Sequence, residues 1–467
     1  MMIKSLLLGA AAGIAAVGVA QAADLPMTKG EAVEYVKVCS AFGPGFFYIP
    51  GTDTCLKIGG EIRADYRVFG GDRPTALGVP GTFDFNRNDN RSAFNTQARV
   101  WFDARTQTDW GLLRSYFQIN ADSHPISAGG RSSVYNGNTF SIDKAFIQFG
   151  GLTAGYAHSF FGFYDNEYGD TIWAPYYAES NTVNLIAYTA QFGGGFSATL
   201  SIEDGRDHDQ NAFNGIAGFG GVSPAGPIFP GSGYVAGGEQ VPDIVGQLRY
   251  DSDWGSLALQ AAGHQNRSGQ IIDPATGLVV PVALGGVPSD NKYGFAVGGT
   301  VLIKIPVIDG GHFIVEGQYA NAATDYLGAG NSVLGATDIF FGANAVGGGA
   351  LRSESGKGWS IVAELGGNIT PVLNANLVGS YIDTKYDNAL VNGAGVFEDY
   401  GVKEFTVAGN LTYTIVKGLT IAGEIAYTRV QQNNGEAFTP AVGAEGTTFR
   451  DVDSNIWQGG IRLKRQF

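Results

Sequence analysis

Between Ser159 and Thr182 the chain reads S-F-F-G-F-Y-D-N-E-Y-G-D-T-I-W-A-P-Y-Y-A-E-S-N-T, with Asp165, Glu167, Asp170 and Glu179 and no basic residue. Earlier in the chain, Arg63, Arg67, Arg99, Arg105 and Arg114 occupy the polar parity of alternating segments. Carboxylates and guanidiniums held in separate blocks do no covalent chemistry. Placed face to face, they set up a field that orients dipolar solutes and sorts ions. So many aromatic side chains on an exposed loop would form a costly apolar patch. The segment is therefore expected to fold inward, pack its rings on a wall and project its acids into an enclosed space. The competing reading pairs the arginines with Glu61, Asp65 and Asp103, where they only hold the wall rigid.

Nucleophilic and metal chemistry find less support. The histidines are His124, His158, His208, His264 and His312. His158 adjoins Ser159, but neighbours on a strand point to opposite faces. Neither G-x-S-x-G nor H-E-x-x-H occurs. The string Asp207-His208-Asp209-Gln210-Asn211 begins like a calcium loop, yet Ala212 stands where glycine is needed and no glutamate closes it. It reads as a solvated acidic loop. No cofactor and no catalytic or metal-ligating residue is assigned.

Alternating segments must carry these charges. Ile58, Gly60, Ile62, Ala64, Tyr66 and Val68 share one parity, and Glu61, Arg63, Asp65 and Arg67 the other. A period of two is an extended strand with two unlike faces. Charges on one face cannot meet lipid, where a midplane arginine costs roughly 2–4 kcal/mol. The pattern recurs near 94–105, 113–120, 139–149, 151–158, 183–192, 195–203, 241–251, 255–265, 291–305, 311–320, 357–369, 372–383, 401–416, 418–430 and 453–467, about sixteen strands in all. Connections alternate short and long. Gly150-Gly151 and Lys417-Gly418 are short; 205–240 and 321–356 are long. The last strand needs a partner for its open edge, and pairing it with the first closes a barrel. In a bilayer closure is compulsory, because unpaired backbone groups find no water there. The fold class expected is all-β, a transmembrane antiparallel up-and-down β-barrel. Trp110 and Trp254 sit in tight turns, as an interfacial aromatic girdle requires.

Composition agrees. The 467 residues would fit about three soluble domains, but no linker or composition break divides them. Glycine is frequent at 71 residues and aromatics make up 12%, while hydropathy averages near neutral, as when one face meets lipid and the other water. The net charge of −14 argues against nucleic acid as a partner and, at a pore mouth, favours cations. Lys4, the apolar run Leu6 to Val19 and Ala20-Gln21-Ala22 read as a secretory signal over 1–22, with Ala23 the first mature residue. Residues 23–467 then form one barrel domain, with an N-terminal segment over 23–56 and a constriction loop over 159–182. Cys39 and Cys55 are the only cysteines. In an exported chain an even pair reads as one disulfide, two buried thiols being the alternative.

Several blocks resemble the general porins of alphaproteobacteria. They are the leader M-M-I-K-S-L-L-L-G-A-A-A-G, E-A-V-E-Y-V-K-V-C from Glu31 to Cys39, F-F-Y-I-P-G-T-D-T-C-L-K-I from Phe46, A-F-I-Q-F-G-G-L-T-A-G from Ala145, P-D-I-V-G from Pro242 and W-Q-G-G-I-R-L-K-R-Q-F from Trp457 to Phe467. The resemblance implies a sixteen-stranded outer-membrane barrel of a Gram-negative bacterium, a homotrimer set among lipids and lipopolysaccharide, and passive diffusion of small hydrophilic solutes and ions. It also implies that the loop after strand five narrows the pore. A mild cation preference follows from the acidic loop. A substrate-specific channel is the main alternative; a closed barrel acting as adhesin or lipid hydrolase is a weaker one.

Overall fold

The computed structural model describes residues 37–72, 90–123, 138–208, 233–235, 237–273, 275–279, 281, 289–332, 338–343, 351–390, 397–433 and 452–467. The leader over 1–22, His124 and the end of the acidic string, 209–211, lie outside them.

Sixteen strands build the wall: β1 Cys55–Gly71, β2 Ser92–Thr108, β3 Gly111–Ser123, β4 Thr139–Phe149, β5 Leu152–His158, β6 Thr182–Gly193, β7 Phe196–Glu203, β8 Asp243–Ser252, β9 Gly255–Arg267, β10 Asn291–Lys304, β11 Asp309–Asn321, β12 Lys357–Thr370, β13 Leu373–Leu390, β14 Phe397–Val416, β15 Leu419–Asn433 and β16 Val452–Gln466. Each pairs antiparallel with the next. β16 returns to β1 in a register running from Glu61↔Gln466 to Gly71↔Ile456. Gly60 and Phe467 then exchange backbone hydrogen bonds of 3.1 and 3.0 Å. The sheet has closed, so no wall edge is left for lipid to meet. β13 and β14 run beyond their expected limits near 383 and 401, because pairing resumes past a bulge at Ala389↔Glu398.

Burial is inverted relative to a water-soluble protein. In β1, Ile62 is 51% exposed while Glu61 and Asp65 are 8% and 4% exposed. Phe94, Ile186, Leu200, Leu259 and Ile425 likewise face outward. Such an exterior is stable only against lipid. Trp110 and Trp254 are exposed in their turns. The inner face is less uniform than the alternation suggests. It is charged along β1–β4 and β16. Along β9–β13, Ala258, Leu302, Ile314, Val362 and Val378 point inward and are buried. The reason lies in what packs on them.

Below β1, Phe47–Tyr48 pairs with Leu56 and Cys55. Cys39 and Cys55 form the expected disulfide, with Cα atoms 5.9 Å apart. The pair is buried with Phe46, and the Arg105 guanidinium lies 5.0 Å from the centre of the Phe46 ring.

Candidate functional site

β5 has only 7 residues, against 13 in β3, so the chain leaves the wall partway along it and turns inward after His158. Three rings of the segment that follows drive this. Phe163 and Tyr164 pack on Ala258, Leu302, Ile314, Val362 and Val378. Phe161 packs with Val245, Ala296 and Ile382. The inward apolar stripe is thus the seat of the loop, and the loop covers it.

The backbone of the loop is held by carboxylates of the wall. Glu316 accepts from the amides of Phe163 and Tyr164, both at 3.2 Å. Glu364 accepts from the Tyr164 hydroxyl at 2.7 Å and the Asp170 amide at 3.1 Å. Glu424 accepts from the amides of Ile172, Trp173 and Ala174 at 2.6, 2.7 and 2.8 Å. Amides aimed at a carboxylate replace the water it lost, which lets an acidic loop dock on acidic strands. Gly162, at φ +82°, is needed for the approach: a Cβ there would lie 2.5 Å from Glu316 Oε1. At its far point the loop reaches β16 and β1. The Trp173 indole donates to Asp65 at 3.2 Å and lies beneath the guanidiniums of Arg462 and Arg67, 5.2 and 5.7 Å away.

A second segment, not anticipated from the sequence, joins it. Residues 322–332, expected within a long outer loop, turn inward after β11. Tyr326, Leu327 and Ala329 are fully buried, and Phe161 and Tyr326 rings are 4.8 Å apart. Gly328, at φ +72°, sits so close to the first loop that a Cβ would lie 2.4 Å from Ala178 O.

The four acids of the loop have different surroundings. Asp165 meets His158 Nε2 at 2.5 Å. Glu167 pairs with Arg249 of β8, which also binds Asp251. Asp170 lies beside Glu364 and His312. Glu179 is only 2% exposed. One oxygen accepts the Asn181 amide at 2.7 Å, and the other has no hydrogen-bond partner among the described residues. Burial pushes its pKa up to about 8, even with His158 and His208 nearby. Burial would lower the pKa of His208; hydrogen bonds with Asp325 and Glu203 outweigh that and hold it well above the ordinary range.

The five arginines divide. Arg67 donates to Gln458 at 2.7 Å and faces Trp173. Arg63 lies among Arg462, Arg99, Glu61 and Asp65. Arg99 pairs with Glu61 and Asp143, both at 3.7 Å. Arg105 and Arg114 share Asp103, at 2.7 and 2.9 Å. Arg105 is drawn onto Phe46, away from the loop. Arg114 lines a cavity of about 430 Å³ with Lys144, His158, Asn166, Glu167 and Arg249. Of the predicted set, Arg114 and Glu167 therefore border one space. Lys144, Arg249 and Trp173 were missed. Lys144 and Arg249 do lie on inward parities, and that was the available signal.

A closed barrel with an apolar exterior, a charged interior and a loop strapped across its inside is a porin-type barrel of the Gram-negative outer membrane. The chain belongs to the Porin subfamily, whose family profile matches residues 24–460. It is 36% identical over 269 residues to Porin Omp2b of Brucella suis, and 34% identical over 268 residues to Porin Omp2b of Brucella abortus. Each match covers 55% of this chain and 65% of the relative, so the chain spans less than two thirds of the length of these relatives. In fold it is similar to the outer membrane channel DcaP of Acinetobacter baumannii, with a TM-score of 0.55 at 13% identity, covering 90% of this chain and 99% of that one.

Proposed function

We propose that the chain forms a water-filled channel for passive diffusion of small hydrophilic solutes and ions across the outer membrane, assembled as a homotrimer among lipids and lipopolysaccharide. The observation that carries this reading is the seat of the loop. Its rings dock on the stripe of β9–β13 and its tip reaches Asp65 and Arg67 through Trp173, while Arg114 and Lys144 line a cavity beside it. Solutes then pass between an acidic strap and a basic wall, where a transverse field aligns dipoles. No covalent step is needed.

The acids at 165, 167 and 170 and the charge of −14 favour a mild cation preference, whereas Glu179, expected to face the lumen, is buried and holds its proton at neutral pH. One observation favours the opposite sign. Asp165 and Glu167 are matched by His158 and Arg249, while Lys144 and Arg114 border the same cavity. Single-channel recording in a planar bilayer, with the reversal potential under a salt gradient, tests both statements. Large ohmic steps in threes support the trimeric channel, and the sign of the potential selects the preference. Absent conductance from folded protein overturns the channel reading.

A further inference from the structure

Asp170 of the loop, His312 of β11 and Glu364 of β12 each offer one ligand atom, and these atoms all lie within 4.8 Å of one another. They come from three separate stretches of chain. We propose that they form a site for a divalent transition-metal ion of the Zn²⁺ class, which would rivet the loop to the barrel wall.

The surroundings prepare each ligand. His312 Nδ1 lies 3.0 Å from the Gly310 carbonyl, to which it can only donate. In the neutral ring this leaves the Nε2 lone pair facing Glu364 Oε1 at 2.9 Å. Such a hydrogen bond behind a histidine is the usual support of a metal ligand. The other oxygen of Glu364 is occupied by the Tyr164 hydroxyl and the Asp170 amide, so the carboxylate is fixed with Oε1 toward the imidazole. The Tyr168 ring, 4.7 Å from that of His312, covers one side.

A further donor points to the same place. Asn376 is 8% exposed, and its amide nitrogen donates to Asn374 and Asn410 at 2.9 and 3.1 Å. Its Oδ1 has no hydrogen-bond partner among the described residues. Gly366 marks the shared space: a Cβ there would be 2.2 Å from Asn376 Oδ1 and 2.8 Å from His312 Nε2. One imidazole nitrogen with carboxylate and amide oxygens suits Zn²⁺ and its neighbours better than Ca²⁺ or Mg²⁺, which prefer all-oxygen sets. Without metal, a proton on Nε2 satisfies the His312–Glu364 contact, so metal entry releases a proton.

The test is calorimetric titration of the folded, chelator-treated protein in detergent with Zn²⁺, which reads binding without reference to conduction. The expected result is one saturable site per chain, with a binding heat that varies with the ionisation heat of the buffer. H312Q and D170N should each weaken it by about tenfold or more, whereas D453N, which removes an acid far along β16, should not. D170N keeps the backbone amide held by Glu364, so it carries the test if H312Q fails to fold. No saturable Zn²⁺ binding to the parent protein overturns the proposal. So does binding that survives D170N, or that Ca²⁺ matches at equal concentration.

Discussion

Glu424 of β15 accepts the main-chain N–H of Trp173 at 2.7 Å, and the two residues are 251 positions apart in the chain. The same carboxylate also takes the amides of Ile172 and Ala174. One wall residue thus holds the tip of the loop through its backbone, whatever side chains the tip carries. E424A should remove an acceptor shared by three amides. Hydrogen bonds to a charged group are worth about 1.5–3 kcal/mol each and add imperfectly, so loop docking should weaken by about 3–5 kcal/mol. The expected readouts are protease cleavage between 163 and 181 and a larger, noisier conductance. An uncut loop with unchanged current would show that the rings alone hold it.

Charge at the cavity can be changed in both directions. Two charges about 6 Å apart in water interact by about 0.7 kcal/mol, roughly threefold in an equilibrium constant. R249Q releases Glu167 and should raise the cation-to-anion permeability ratio by about that factor. The double variant D165N/E167Q should lower it similarly. Reversal potentials that stay put in both variants would place these groups off the ion path.

The disulfide encloses a short loop, with a sequence separation of 16. Closing a loop of that size limits the unfolded chain by about 3 kcal/mol. The C39S/C55S protein should unfold at lower denaturant by that amount, and added reductant should lower the parent protein but not the variant. Equal unfolding curves would mean that the segment is held by Phe46 and its ladder alone.

Glu179 gives a pH signature. Its pKa rises from an ordinary 4.5 to about 8 in the folded protein, so the folded state binds the proton more tightly. The associated stability is complete below about pH 4.5, is lost as pH climbs toward 8, and is flat above that. E179Q, which mimics the protonated group, should match the parent near pH 4.5 and exceed it at pH 9. Parallel stability curves across that range would mean that Glu179 is ionised when folded. His158, His208 and Glu203 face the group and titrate in both proteins, so the difference between the two curves isolates Glu179.

The alternation in β1 and its successors is local. Each strand states its own two faces in about ten residues, because successive side chains must point to opposite sides. The sixteen strands, the rhythm of short and long connections, the closure of β16 on β1 and the inward turn after His158 were therefore legible from residue order alone. The aromatic and acidic composition of 159–182 marked the strap for the same reason, since a surface loop cannot afford those rings. What the strap touches was not legible. Glu316, Glu364 and Glu424 alternate with apolar neighbours like any inward residue, and nothing local tells a lumen charge from a backbone anchor. The inward apolar positions of β9–β13 interrupt a polar face, and only the docked loop gives them a partner. Arg249, Lys144 and Trp173 became neighbours of the site only through closure, which brings strands far apart in sequence to one cross-section. The burial of Glu179 and the entry of 322–332 were likewise decided by tertiary packing, because both depend on the space left between a docked loop and a closed wall.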